Sequence, residues 1–401
     1  MIPADEILEA LDLSRAEPGI GFLEALFVRF NAKVPFENAS KIVRNAEVAD
    51  GAAKPRRPDV FWEEHLESGT GGTCFARVAA FQALLTELGF RSRRLLGRVQ
   101  RDDDHAALIV ETAAGESIVD VGFPLPAILP ARAGVVATAL GELEVGQTAR
   151  GFRVEFREGV PEGPRALEVF SAPVAEERFA GLWRETFQPG SRFLLDLCLR
   201  RDLGNRILSY AAGQLRVDDL HSRLRLPLAI APEAALAEHF GVDAGILARA
   251  FAVVGRPVPA AEEPTLTAYL ETSAPAAQAF GAIATASGYR RLVGGIAEVV
   301  TQTDLAGGFR IALAAPEGRV AVGLEDEVVV DPAAKRISVR RSQGASTFLS
   351  SYRTLERGGK TYLLRETVLP GRRDELLRND SLRGRFAGSL AVDLLAWARM
   401  L

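Results

Sequence analysis

Ser68-Gly69-Thr70-Gly71-Gly72-Thr73-Cys74-Phe75, continued over 76–90 by ARVAAFQALLTELGF, is the stretch from which the fold can be read. Its first half is a Gly-rich turn. Its second half is a helix of about four turns, closed by Gly89, a residue type common just past helix ends. Cys74 therefore falls at or beside a helix N-terminus, where unpaired amides and the helix dipole favour an anion. A thiol held there is biased towards its reactive thiolate.

Working upstream, residues 4–31 read as two helices broken at Glu17-Pro18-Gly19, and VPFENAS, 34–40, stops the second. The segment 49–58, ADGAAKPRRP, reads as a solvated loop with a short basic run on the surface. Downstream of Gly89 the pattern becomes strand-like in RRLLGRV (93–99), HAALIVET (105–112), SIVDVGF (117–123), GFRVEFRE (151–158) and RALEVFS (165–171). These predict a small antiparallel barrel ending near residue 172. Helical segments are expected again around FLLDLCLRRDL, 193–203, and EAALAEHFGVDAGILARAF, 233–251. A Pro-rich run, VGRPVPAAEEP at 254–264, reads as a linker. Beyond it come one strand, a Pro-started helix, a long series of strands and a terminal helix over 381–401.

A chain of 401 residues exceeds one ordinary core, which stops growing near about 250–300 residues, so two or three domains are expected. With 48 basic against 52 acidic residues there is no net field to hold nucleic acid or an anionic membrane. Cys74 and Cys198 are too few for a disulfide framework, which fits a reducing compartment. The N-terminus lacks a basic start followed by an apolar run, and no apolar stretch reaches the about 18 residues of a membrane span. The location predicted is cytoplasmic. No metal-ligand spacing, nucleotide loop or internal repeat stands out.

The chemistry-bearing set is Cys74, His105 and Asp120: a thiol, an imidazole to take its proton, and a carboxylate to fix the imidazole tautomer. Backbone amides near Cys74 are the expected oxyanion donors. Cys198 reads as a core residue, and His65, His221 and His239 as surface or core histidines. A hairpin turning over Ala113-Ala114-Gly115-Glu116 would pair Asp120 with Ile109, four residues from His105, a gap of about 13 Å. A bulge, strong curvature or another register must close it for the triad to form.

Val34-Pro35-Phe36-Glu37-Asn38, Gly71-Gly72-Thr73-Cys74-Phe75, His105 and Asp120-Val121-Gly122-Phe123 together resemble the arylamine N-acetyltransferase family, whose motifs are PFEN, RGGxCFE, a later His, and DVGFG about fifteen residues beyond it. The resemblance covers residues 1–254. It implies an α+β fold: a helical bundle (1–90), a small β-barrel (91–172) and an α/β lid (173–254). Residues 264–401, after a linker at 255–263, are similar in element order to a helix-grip, START-like or polyketide-cyclase-like (SRPBCC) domain that encloses a ligand. Glu325, Asp326 and Glu327 there read as a solvated strand face.

The resemblance further implies ping-pong acyl transfer from acetyl-CoA or another acyl thioester, as co-substrate rather than bound cofactor, to an arylamine or hydrazine. Phe36, Gly72, Thr73, Phe75 and Phe123 are the expected substrate-side residues, with the glycines giving the donor room to approach. Related amide synthases take an acyl chain from an acyl carrier protein. A transglutaminase-like or hydrolytic thiol enzyme, and a non-catalytic hydrophobic-ligand carrier, are the other readings. Four positions depart from the family pattern, Thr70, Thr73, Ala76 and Pro124. They imply altered substrate choice and leave Glu37 in need of another partner or water.

Overall fold

The computed structural model describes residues 2–401 except 124, 158–165, 229–231, 258, 260–262, 294–297, 315–323, 344–345, 358, 373–374 and 377–378. Pro124 and part of the expected linker thus lie outside the described residues. The chain forms two compact units, one of Met1–Leu220 with Leu228–Ala260, the other of His221–Pro227 with Ala261–Leu401.

The first unit opens with α1 (Ala4–Ala10), α2 (Ile20–Lys33), a short strand β1 (Phe36–Glu37), α3 (Ala39–Glu47), α4 (Pro58–Ser68) and α5 (Cys74–Glu87). Helix α5 is apolar on nearly every side because it is buried on nearly every side, from Phe75 through Val78, Phe81 and Leu85. Phe30 of α2 ties the bundle together, its ring 4.8 Å from Phe81 and 5.8 Å from Trp62.

Eight antiparallel strands follow: β2 (Arg91–Arg98), β3 (Asp102–Thr112), β4 (Gly115–Val119), β5 (Leu129–Pro130), β6 (Gly134–Thr138), β7 (Gly141–Thr148), β8 (Gly151–Phe156) and β9 (Ala166–Phe170). They lie in the order β5-β4-β3-β2-β9-β8-β7-β6, a barrel-like sheet. Strand β3 is buried on both faces. Ala107 and Ile109 join Leu95, Leu143, Val154 and Val169 in the interior, while Ala106, Leu108 and Val110 pack on the helical core. His105, two residues before Ala107, shares the interior face at its end.

After α6 (Glu176–Glu185), β10 (Leu199–Asp202), β11 (Ile207–Ala211) and β12 (Gln214–Asp218) pair in sequence, and β10 also pairs with β1. The helix expected over 193–203 is thus absent: only Arg192–Leu194 makes a single 3-10 turn before the strand. Strand partners on both sides of β10 override the local helical bias of its leucines. Helices α7 (Pro232–Phe240) and α8 (Ala244–Val254) complete the unit, with Asp243 capping α8 through the Ile246 amide.

The second unit holds β13 (Ser222–Pro227), β14 (Thr265–Thr272), α9 (Ala276–Gly281), α10 (Ala286–Val293), β15 (Glu298–Leu305), β16 (Gly308–Ala314), β17 (Leu324–Asp331), β18 (Arg336–Gln343), β19 (Ser346–Arg357), β20 (Lys360–Val368) and α11 (Asp380–Ala398). Its strands run β13-β14-β20-β19-β18-β17-β16-β15, all antiparallel. Helix α11 packs on β14 and β20, and its Trp397 donates to the Ala279 carbonyl at 2.9 Å. Asp326 is fully buried, contrary to the solvated face expected of it, and takes both ends of the Arg341 guanidinium at 2.7 Å. Glu325 and Glu327 pair outside with Arg310.

Candidate active site

Cys74 is the first residue of α5, 6% exposed, preceded by Thr73 in extended conformation. The first amides of a helix have no carbonyl four residues back, so their dipoles point at this thiol. His105 and Asp120 reach it through a register that differs from the expected one. Thr112 pairs with Gly115 and Ile109 with Ile118, so the tight turn is Ala113-Ala114, and Asp120 continues opposite Ala107 rather than Ile109. The gap to His105 is then two residues on one face. A bulge does the rest: Gly97 pairs with His105 but Arg98 with Asp102, and Asp103 between them takes a left-handed φ of 63°. Asp104 stabilises the bulge by accepting from the amides of Val99, Gln100 and Arg101.

Asp120 follows the last residue of β4 and is fully buried. One of its oxygens accepts from the Gly122 and Phe123 amides at 2.9 and 2.8 Å, which explains a carboxylate at the head of a DVGF turn. The other lies 2.7 Å from His105 Nε2. His105 also hydrogen-bonds Cys74, necessarily through Nδ1. Burial alone would push the His105 pKa down, but the charges and hydrogen bonds of Asp120 and Cys74 reverse this and raise it to about 10. The imidazole is therefore held protonated at neutral pH. Gly122 is required by space: a Cβ there would stand 2.4 Å from the Ala106 oxygen, 2.9 Å from Cys74 Cβ and 3.1 Å from His105 Cε1.

Cys74 and His105 open on a cavity of about 740 Å³ within this unit. Phe36, Thr73 and Phe123 border it as expected of substrate-side residues. Gly72 and Phe75 do not. Phe75 lies in the core with its ring 5.1 Å from Phe179. Gly71 and Gly72 leave room for protein rather than for a donor: added Cβ atoms would meet the Pro35 oxygen at 1.8 Å and Arg56 Nη2 at 2.9 Å. Cys198, expected in the core, is half-buried and borders the cavity, though burial pushes its thiol up to about 12.

Arg56 is a second correction to the sequence reading. It comes from the basic run expected at the surface, yet it is 5% exposed, pairs with Glu64 at 2.7 Å and donates to the Gly71 carbonyl. It thus steadies the Gly-rich turn from another part of the chain, where Thr70 departs from the family's arginine. Glu37 meets its need for a partner locally, accepting from the Ser40 amide at 2.9 Å and from the Ser40 hydroxyl. Asn38 does more. Its Nδ2 donates to the carbonyls of Phe193 and Asp196, and its Oδ1 accepts from the Cys198 amide at 2.8 Å. Arg77, on the turn after Cys74, donates to the carbonyls of Val34 and Val121 and to Asn31 Oδ1. Of these, Asn38 sat inside a motif, whereas Arg56 and Arg77 gave no local signal.

His65 donates from Nδ1 to the Thr70 carbonyl at 2.9 Å, and burial pushes its pKa down to about 4. Among the described residues no group of three or more His, Cys, Asp or Glu side chains is arranged to hold a metal ion, and no helix is long and apolar enough to cross a membrane.

A family model described as N-acetyltransferase matches residues 20–139. The arylamine N-acetyltransferase of Escherichia coli K12 is 33% identical over 115 residues, which cover 27% of this chain and 38% of that relative, so the chain spans less than half the length of the curated relatives it matches. Among solved structures, the arylamine N-acetyltransferase of M. smegmatis superposes with a TM-score of 0.54 at 23% identity, covering 63% of this chain and 99% of that one. That of Mycobacterium marinum in complex with CoA gives 0.51 at 22% identity over 62% and 98%. In fold over about three fifths of its length, and in sequence over 20–139, this chain is thus similar to the arylamine N-acetyltransferases.

Proposed function

We propose that the first unit transfers an acyl group from a thioester to an amine through an acyl-Cys74 intermediate. The observation that carries this reading is the Asp120–His105–Cys74 chain at the mouth of a cavity. With His105 protonated, Cys74 stands as the thiolate and attacks the carbonyl carbon of the donor. The bond from that carbon to the donor sulfur breaks, and the leaving thiolate takes the proton from His105 Nδ1. The neutral imidazole then accepts a proton from the amine as its nitrogen attacks the acyl-Cys74 carbonyl, and the Cys74 thiolate returns. Asp120 keeps the ring oriented and supports its charged form. The Cys74 amide, at the helix start, is the natural donor to the oxyanion.

Acetyl-CoA or a similar thioester is the co-substrate supported by the likeness, since the related M. marinum protein was solved with CoA. We read residues 1–254 as this acyltransferase, 255–263 as a linker and 264–401 as a helix-grip ligand domain. The order strand, two helices, six strands and a long helix in 265–398 supports that last assignment.

The test is intact-protein mass spectrometry after mixing with acyl thioesters. An acyl increment that is lost in Cys74→Ala but kept in Cys198→Ala is expected. Folded wild-type protein that gains no mass with any acyl-CoA donor would overturn the reading.

A further inference from the structure

The sheet at the floor of the cavity brings one residue from each of four strands into a single row. Phe36 pairs with Arg200, Arg200 with Ser209, and Ser209 with Arg216. Directly paired residues project from the same face of a sheet, and all four border the cavity that contains Cys74. Two guanidinium groups thus flank a hydroxyl. Arg200 also feels Asp202, Asp218 and Asp120, so the row is braced from behind as well as charged in front.

Two more cations stand at the same wall. Arg192 borders the cavity and lies 5.7 Å from the Phe193 ring. Lys41, 5% exposed, donates to Thr186 Oγ1 at 2.7 Å and sits 4.7 Å from the Phe187 ring centroid, behind the cavity-lining Thr186 and Phe193. Among the described residues neither has a carboxylate within ion-pairing distance. Burial pushes the Lys41 pKa down to about 8, with Cys74 and Cys198 pulling it back up. The acids on the opposite wall are occupied. Asp102 pairs with Arg150, Asp103 with Arg178, and Asp104 takes three backbone amides. A buried ammonium with no anion nearby is expensive unless an anion arrives with the ligand.

We infer that the acyl chain accepted by Cys74 ends in a carboxylate, which docks across Arg200, Ser209 and Arg216. The donor is then a monothioester of a dicarboxylic acid. Paired guanidinium groups fit a carboxylate's two oxygens, and an uncharged chain of equal length leaves the cations desolvated without a partner. The inference rests on the acyl-transfer reading above, and the attack, leaving group and proton path are the same.

The experiment compares succinyl-CoA with butyryl-CoA, which has as many acyl carbons and no charge, as donors to Cys74. Mass increments are followed in time, without any amine. The wild type should load succinyl about tenfold faster or more, and this ratio should fall towards one in Arg216→Gln and in Ser209→Asp, each checked for folding by circular dichroism. Equal or faster loading of butyryl by the wild type overturns the inference even if both variants fail to fold, and so does a ratio that survives both substitutions. A rate advantage found only with carboxylate-bearing amines in full turnover would assign the row to the acceptor and overturn it too. Loading by neither donor, nor by acetyl-CoA, would instead remove the acyl-transfer reading itself.

Discussion

Each of the two units buries an aspartate completely, and the two are used in opposite ways. Asp120 spends one oxygen on two backbone amides and the other on His105, whose remaining nitrogen faces Cys74 and the cavity. Asp326 takes two bonds from Arg341 and one from Tyr289, and nearby Asp393 takes Tyr352 and Arg365. Aromatic rings close over this second network, with Tyr352 standing 6.3 Å from Tyr289 and 6.0 Å from Trp397. An imidazole can give up its proton near neutral pH, but a guanidinium cannot. The first chain of contacts therefore ends on something that changes state, while the second ends on itself. Burial of a charge marks a place where the fold has invested; only the identity of its partner separates chemistry from scaffolding.

The sharpest way to break this contrast is Cys74→Ala, expected to lower amine acylation by about 10⁴-fold or more, as read by product formation. A loss of less than tenfold would end it. Asp120→Asn should come next, with a fall of about 10³- to 10⁴-fold, because the amide supports the wrong imidazole tautomer. Thermal unfolding of that variant should stay nearer the wild type than that of Asp326→Ala, for which a destabilisation of about 3–5 kcal/mol in chemical denaturation is expected, since Arg341 and Tyr289 are left buried without their anion.

Acid sharpens the comparison more gently. The folded-state pKa of His65 is about 4 against an ordinary 6.5, so the folded state binds fewer protons between those values. Stability should fall as pH drops through that window, by up to about 3 kcal/mol, and His65→Gln should remove this limb of the denaturation profile. The smallest effect lies in alkali, where two groups oppose each other. His105, raised to about 10, contributes stability that is full below its ordinary pKa of 6.5 and lost as pH rises through 10. Lys41, lowered to about 8 from 10.5, burdens the fold below 8 and relieves it between those values. In His105→Gln the Lys41 rise alone should remain above pH 8, visible as a gain in unfolding free energy that the wild type lacks.

Much of this site was legible in the chain because the motifs around Cys74, His105 and Asp120 carry side chains whose neighbours are close in sequence. The register between His105 and Asp120 was not. The turn could fall at Ala113-Ala114 or one residue later with nearly the same composition, and that single step moves the pairing by two residues. Arg56 was hidden for a different reason: its partners, Glu64 and the Gly71 carbonyl, come from the next helix and the turn beyond it, so a Pro-flanked basic run looked solvated. The strand at Leu199–Asp202 was masked by leucines at helical spacing, and β6 and β7 by Gly-rich ends that blurred their alternation. The row Phe36, Arg200, Ser209, Arg216 has no trace in one dimension, since only pairing brings its members together.

Asn38 has a consequence for how such a protein can change. One amide side chain holds Phe193, Asp196 and Cys198 in position, so the segment that walls the cavity hangs from the frame instead of being built into it. The segment before that anchor, from Thr186 to Arg192, is free to lengthen, shorten or exchange residues while the hook and the nucleophile stay put. What the enzyme recognises and what it does to it are thereby placed on separate hinges of heredity, and new substrates can be tried without risking the old reaction.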